Sequence, residues 1–400
     1  MIKAPRIHAP MLQLSPLDPD FVQDPYALYA KIRAQHPVVF WDDYGMLAAF
    51  DHTTVYSLLR DKRLGREVPA SQRKDPPVHL IPFYAIEKHS ILELEPPRHT
   101  RLRRLVLRAF TSRRIAGLGP EINVIAHDQL DQLCDGDDLI PKFCQPIPVR
   151  VIARLLGVPE GMAPDLLRWS TAMVAMYQSN RTRQTEEDAA SAATEFADFL
   201  RQYVETRRHD PRDDLITHLI AAEQDGETLT LDELISTCIL LLNAGHEATV
   251  HTIGNAVKCL LEQETDHASL APDRIEGTVE EILRFDPPLH VFTRYAYEDI
   301  SLGQHVLRAG EQVALVLGAA NRDPKIWNDA QVFNPDRAPR PHTAFGGGLH
   351  FCVGAPLARL ELKIVLSALF QAFPQLSLSE TPRYANSYHF HKLDRLIVGL

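Results

Sequence analysis

The chain has 400 residues, 45% of them hydrophobic, and a net charge of −10, so a sizeable core is affordable and nucleic acid is excluded as a general partner. Five cysteines at 134, 144, 238, 259 and 352 form no C-x-x-C pair, which points away from a disulfide framework and towards a reducing compartment. The opening "MIKAPRIHAPMLQL" has no apolar run long enough for a signal peptide or membrane anchor, so a cytoplasmic protein with no membrane partner is expected. Taken in chain order, "PVVFWDDYGMLAAF" predicts a hairpin about Asp42, Asp43, Tyr44 and Gly45. From "RHTRLRRLVLRAFT" to "AVKCLLEQE" the apolar spacing is helical. One helix stands out: Thr230 and Glu233 have capping-box spacing, and no proline interrupts the chain through "STCILLLNAGHEATVHTIGNAVKCLLEQ". Its centre, "LLLNAG", is apolar nearly all round and is expected to be buried. A helix over "TVEEILRF" should stop at Pro287-Pro288, short strands with turns should follow up to "VLGAANRD", and "GAPLARLELKIVLSALFQAF" should be a last helix. The fold class is mainly α with a smaller β part.

The stretch "NAGHEATVHTIGN" carries His246, Glu247 and His251, close to the H-E-x-x-H zinc motif, which sets two imidazoles one turn apart. Here three residues separate Glu247 from His251, so the second ring lies about 140° from the first on an unbroken helix. The two rings cannot close on one zinc, and the helix needs another purpose.

The stretch ahead of the last helix, "FGGGLHFCVGAPLARLEL", sets Cys352 between a glycine-rich loop and a helix start. Backbone N–H groups and the positive end of the helix lower the pKa of a thiol placed there. Gly346, Gly347, Gly348 and Gly354 let the backbone bend sharply and come close to a flat ligand. This run resembles the haem-binding loop of the cytochromes P-450, F-G-x-G-x-H-x-C-x-G, at every fixed position. Glu281 and Arg284 in "EEILRF" match that family's E-x-x-R pair, which shares one helix face. "WNDAQVFNPDRAPR", with Phe333, Pro335 and Arg337, resembles the meander completing that network, and "ELEPPRHTRLRRLVLRAFT" the helix that packs on the haem. The matches run from about Asp24 to the C-terminus, which implies a single domain over 1–400: an N-terminal extension, 1–23, and a catalytic domain, 24–400.

The resemblance implies haem b (iron protoporphyrin IX) between the long central helix and the Cys loop. Cys352 would be the metal ligand, and thiolate donation favours O–O cleavage. His99, Arg103, Arg294 and His350 would meet the haem propionates; the alternative for each is ordinary surface charge. Phe345 would shield the thiolate, with Gly346 and Gly354 beside the cofactor. "AGHEAT" would be the oxygen-binding centre, where small Ala244 and Gly245 let the helix bend and Glu247 fills the position of a proton-passing acid. The family's following alcohol is absent: Ala248 stands there. Thr249 comes one residue later, about 100° round the helix. Thr249, an ordered water or the substrate's own hydroxyl are candidates to replace it.

Substrate-facing residues implied by the family's layout are Leu289, Val291, Phe292, Met173, Met176, Tyr177 and Phe390, with His290, Asn386 and His389 as polar positions; each is equally a core or rim residue. They suggest a small to medium-sized, mostly apolar organic substrate. No second cysteine cluster is present, so electrons from NAD(P)H would come through a separate ferredoxin and ferredoxin reductase, with dioxygen as co-substrate. Seven arginines between Arg98 and Arg114 would offer the ferredoxin a basic dock. A monomer is expected. The resemblance therefore implies a monooxygenase; the competing readings are peroxide-driven oxidation, which the missing alcohol favours, and a haem-bound sensor or ligand carrier.

Overall fold

The apolar runs flanking Asp42–Gly45 form the expected hairpin, Val38–Trp41 paired antiparallel with Met46–Ala49. Its turn is possible because Gly45 takes φ +61°, where a side chain would be strained. The computed structural model describes residues 9–178, 181–224, 226–387 and 390–400. The chain folds into two compact units, neither continuous in sequence: 1–74, 262–352 and 383–394 form the first, and 75–261, 353–382 and 395–400 the second.

The first unit is built on a six-stranded sheet in the order Met11–Leu12, Val38–Trp41, Met46–Ala49, Gln312–Val316, Val291–Ala296, Leu64–Gly65. One face carries Val38, Leu47, Val55, Leu58, Val313 and Leu315. The other carries Phe21, Tyr29, Trp41, Phe50, Ala314 and Val316, the alternation a two-sided sheet requires. Met11–Leu12 pairs with Phe40–Trp41, and Phe21 is buried, so part of the expected N-terminal extension belongs to this sheet and core. The helix Ile275–Phe285 stops before Asp286-Pro287-Pro288, as the prolines require. Where only strands and turns were expected, Leu317–Ala320 turns into a short helix. A Cβ on Gly318 would stand 3.0 Å from the His290 ring, and Ala319 and Ala320 are fully buried, so small residues serve close packing here.

The second unit is helical. Ala163–Val174 packs along Arg183–His209, where Trp169 stacks on Phe196 at 5.0 Å, and Ala355–Ala372 packs on Gly119–Leu130. The long helix spans Leu231–Glu262, 32 residues. Its start is the predicted capping box: the Glu233 amide donates to Thr230 Oγ1 at 3.3 Å and the Thr230 amide to Glu233 Oε2 at 3.0 Å. Its centre departs from the expectation of burial all round. Leu242 and Asn243 are buried, Leu240, Leu241, Gly245 and Ala248 are half-buried, and Ala244 is exposed. The accessible positions recur at i, i+3 and i+4, so they form one stripe. Among the described residues no helix is long and apolar enough to cross a membrane.

Candidate functional site

In the first unit, a turn at Gly348–His350 precedes Cys352, whose amide donates to the Phe345 carbonyl at 3.0 Å and closes the loop. Gly346 and Gly348 hold φ of +68° and +64°. A Cβ on Gly348 would stand 2.5 Å from the Leu59 carbonyl, and one on Gly347 2.7 Å from Arg60 Nη1. The glycines therefore let the loop lie against the end of the helix His52–Leu58, a packing reason that the sequence reading assigned to ligand approach. Phe292 lies 3.1 Å from where a Gly346 Cβ would be, so it packs on the Cys loop. Cys352, Phe345, His350 and Gly354 are half-buried. A half-buried thiol in a loop folded back on itself, covalently followed by the helix Ala355–Ala372, is a donor set that fits haem iron.

In the same unit the E-x-x-R pair is 3% and 2% exposed. Arg284 donates to both Glu281 oxygens at 2.7 Å and to the carbonyls of Asn321 and Ala330 at 2.9 Å each. Arg337 Nε and the Asn334 amide donate to the same Glu281 oxygen at 3.1 and 2.9 Å. The carboxylate thus joins a helix to the irregular segment around Phe333 and Pro335. Arg294 is buried on its strand and donates to the Thr293 carbonyl at 2.8 Å.

In the second unit, the accessible stripe at Ala244 and Ala248 has Glu247 beside it. Glu247 Oε2 lies 3.0 Å from His251 Nε2, one turn on, and Oε1 accepts from Thr171 at 3.4 Å. His246 is fully buried with Nδ1 3.9 Å from Glu247 Oε1, and burial pushes its pKa below the usual histidine range. The two histidines thus flank one acid. A Cβ on Gly245 would meet Ile152 Cδ1 at 2.8 Å, so this glycine admits a neighbouring helix, Pro146–Leu156. The hydroxyls of Thr249 and Thr252 donate to the Gly245 and Ala248 carbonyls at 2.7 and 2.6 Å. Thr249's proton is thereby held on the helix's own backbone. His99 is fully buried and Arg103 half-buried on the helix Arg98–Ala109. Arg101 pairs with Glu233 and Arg114 with Asp213, whereas Arg98, Arg104, Arg108 and Arg113 are exposed.

The expected substrate residues divide. Met173 and Met176 are buried, with Asn243 of the long helix donating to Met173 Sδ at 3.7 Å, and Tyr177 donates to Glu87 at 3.0 Å. In the first unit Leu289, Val291 and Phe292 are half-buried and Phe390 is buried. His290 is 1% exposed and hydrogen-bonded to Tyr26 at 3.1 Å and Tyr29 at 3.2 Å, which leaves it inside a polar network. Asn386 is exposed, and His389 lies outside the described residues. Ile152 and Thr171 as partners of the long helix had no signal in the sequence, because each contact is tertiary, whereas the Glu247–His251 contact follows from i, i+4 spacing on one helix.

A thiol-bearing loop and a buried acid–arginine network thus belong to the first unit, and a long helix with a small-residue stripe and an acid to the second. The cytochrome P-450 sequence model matches residues 165–267 and 275–387. The chain is 35% identical to the cytochrome P-450 monooxygenase PikC of Streptomyces venezuelae, over 93% of this chain and 89% of that protein. It is also 35% identical to the 6-deoxyerythronolide B hydroxylase of Saccharopolyspora erythraea, over 90% and 91%. The crystal structure of P450BioI in complex with a hexadec-9Z-enoic acid-ligated acyl carrier protein superposes with a TM-score of 0.89 at 34% identity, covering 96% of this chain and all of that one. The chain belongs to the cytochrome P-450 family: it has that fold, binds haem and is an oxygen-incorporating oxidoreductase.

Proposed function

We propose that this protein is a ferredoxin-fed monooxygenase, working as one catalytic domain, that inserts one oxygen atom into a medium-sized, mostly apolar organic molecule. The observation that carries the reading is the Cys loop, closed by the Cys352 amide on Phe345 and carrying a half-buried thiol. Bound haem supplies dioxygen activation at an iron held by a thiolate, which is the chemistry the protein itself lacks. Cys352 is the proposed ligand. His99, Arg103, Arg294 and His350 are the proposed cationic partners of the propionates, a role suited to the burial of His99 and Arg294. Glu247, oriented by His251 and Thr171, holds the proton at its carboxylate oxygens. Ala248 neither donates nor anchors a water, and Thr249 has its proton on the Gly245 carbonyl. A hydroxyl carried by the substrate is therefore the proposed replacement. One relative, by its name, hydroxylates 6-deoxyerythronolide B, and another is crystallised with an acyl chain on a carrier protein; both are consistent with a largely apolar substrate bearing oxygen functions. The cytoplasm is the proposed compartment.

The exposed Arg104, Arg108 and Arg113 supply the charge for an acidic ferredoxin. Product formation is to be measured with ferredoxin, reductase and NADH, and separately with peroxide alone. The proposal expects product in the first arm, slowed by salt because exposed charges are screened over about 10 Å at 0.1 M, and slowed at low salt by Arg104→Glu. Product only with peroxide would establish the peroxide-driven reading, which Ala248 favours and Glu247 opposes.

A further inference from the structure

Asp286, His290 and His391 are 4%, 1% and 9% exposed and belong to none of the machinery described above. They arrive from different places in the first unit. Asp286 ends the helix Ile275–Phe285, and His290 follows the proline pair that stops it. His391 comes from the 383–394 segment, whose position is fixed by the His391 amide donating to the Pro288 carbonyl at 2.8 Å. One ligating atom of each lies within 4.8 Å of those of the other two. His391 Nε2 is 3.4 Å from Asp286 Oδ1. A fourth donor joins them: Tyr26 Oη is 2.6 Å from Asp286 Oδ1 and 3.1 Å from His290 Nε2.

The surroundings orient these groups as a second layer orients metal ligands. Tyr29 Oη lies 3.2 Å from His290 Nδ1, which directs Nε2 towards Tyr26 and Asp286. Tyr384 donates to Asp286 Oδ2, leaving Oδ1 towards the cluster, and its ring stacks on His391 at 3.6 Å. A cavity of about 10 Å³, near the room one water needs, adjoins His290 and His391.

We propose that Asp286, His290 and His391, with Tyr26 as fourth donor, form a closed structural site for one zinc ion. Two imidazoles, a carboxylate and a phenol oxygen, with no sulfur, suit a borderline divalent cation held tetrahedrally. Donors at zinc bond lengths stand about 3.3 Å apart, so no pair among Asp286, His290 and His391 has to close by more than roughly 1.5 Å. Zinc takes the place of the Tyr26 phenol proton, which leaves to solvent. The ion's two charges are then matched by one carboxylate and one phenolate, so no net charge is buried by the ion and its donors. Without the ion the same groups form a hydrogen-bonded network. With it, the 383–394 segment is stapled to the end of the Ile275–Phe285 helix.

The test uses the haem-loaded enzyme, whose porphyrin keeps its iron through treatment with a chelator. The stripped protein is given one equivalent of zinc chloride, desalted, and assayed for zinc and iron by mass spectrometry. The expected ratio is about one zinc per haem iron, falling at least tenfold in His391→Gln and in Asp286→Asn. Zinc-edge X-ray absorption of the wild type should show nitrogen and oxygen neighbours only, with the scattering of two imidazoles; it decides the matter should the variants fail to fold. Less than about 0.1 zinc per iron in the wild type, an unchanged ratio in His391→Gln, or sulfur in the first shell would overturn the site.

Discussion

Arg284→Ala removes a guanidinium that makes four short hydrogen bonds in a space 2% exposed. Glu281, itself 3% exposed, is left with Arg337 at 3.1 Å and the Asn334 amide at 2.9 Å. Breaking one side of a buried ion pair costs about 3–5 kcal/mol. The two remaining donors place this case in the lower half of that range, while the stranded Asn321 and Ala330 carbonyls push it back up. A loss of about 4 kcal/mol is a large part of the 5–15 kcal/mol by which a protein is stable. With a urea dependence of about 3 kcal/mol per molar, the unfolding midpoint should fall by just over 1 M. Haem content should fall with it, because the pair fixes the segment around Phe333 in the unit that carries Cys352. Replacing both partners, Glu281→Gln with Arg284→Met, should cost less than Arg284→Ala alone, because the buried carboxylate is then not stranded, while Arg337 keeps the Asp329 and Val332 carbonyls as acceptors. A midpoint within about 0.3 M of wild type, or a double variant worse than the single, would refute the reasoning.

Gly348→Ala should lower the yield of thiolate-ligated haem, since its Cβ would stand 2.5 Å from the Leu59 carbonyl at a φ of +64°; an unchanged carbon monoxide spectrum would contradict this. The His246 pKa is lowered in the fold by burial, so below about pH 6.5 the unfolded chain binds a proton that the folded one resists. Stability should therefore be lost as pH falls from about 6.5 towards the folded pKa, by up to about 1.4 kcal/mol per pH unit, and His246→Gln should flatten urea midpoints over that range. Ala248→Thr should raise product per NADH for a substrate analogue lacking its hydroxyl and lower it for the hydroxylated substrate by crowding; equal coupling for both compounds in both proteins would rule out a substrate-supplied hydroxyl.

The local devices of the fold were legible because each is written in adjacent residues. The Thr230–Glu233 cap, the Gly45 turn and the proline stop after Phe285 rest on backbone rules that hold wherever the segment packs. The Cys loop was legible as a pattern, but its glycines were read towards a ligand, whereas Gly347 and Gly348 also face Arg60 and Leu59. Gly245, expected to let the helix bend, also turns its hydrogen to Ile152. His290 shows the limit most clearly. It stands beside Leu289 and Val291 in a stretch that reads as apolar, and only the tertiary fold brings Tyr26, Tyr29 and Asp286 to it. Long-range partners of buried polar groups leave no local trace in one sequence.

The central claim is that Cys352 holds the haem iron as a thiolate. The direct measurement is the absorption spectrum of the reduced protein under carbon monoxide, for wild type and for Cys352→His. The wild type should show the red-shifted Soret band of thiolate ligation, and the variant should keep haem but lose that band and all monooxygenase turnover. A red-shifted band persisting in Cys352→His would contradict the account, because another residue would then be the ligand.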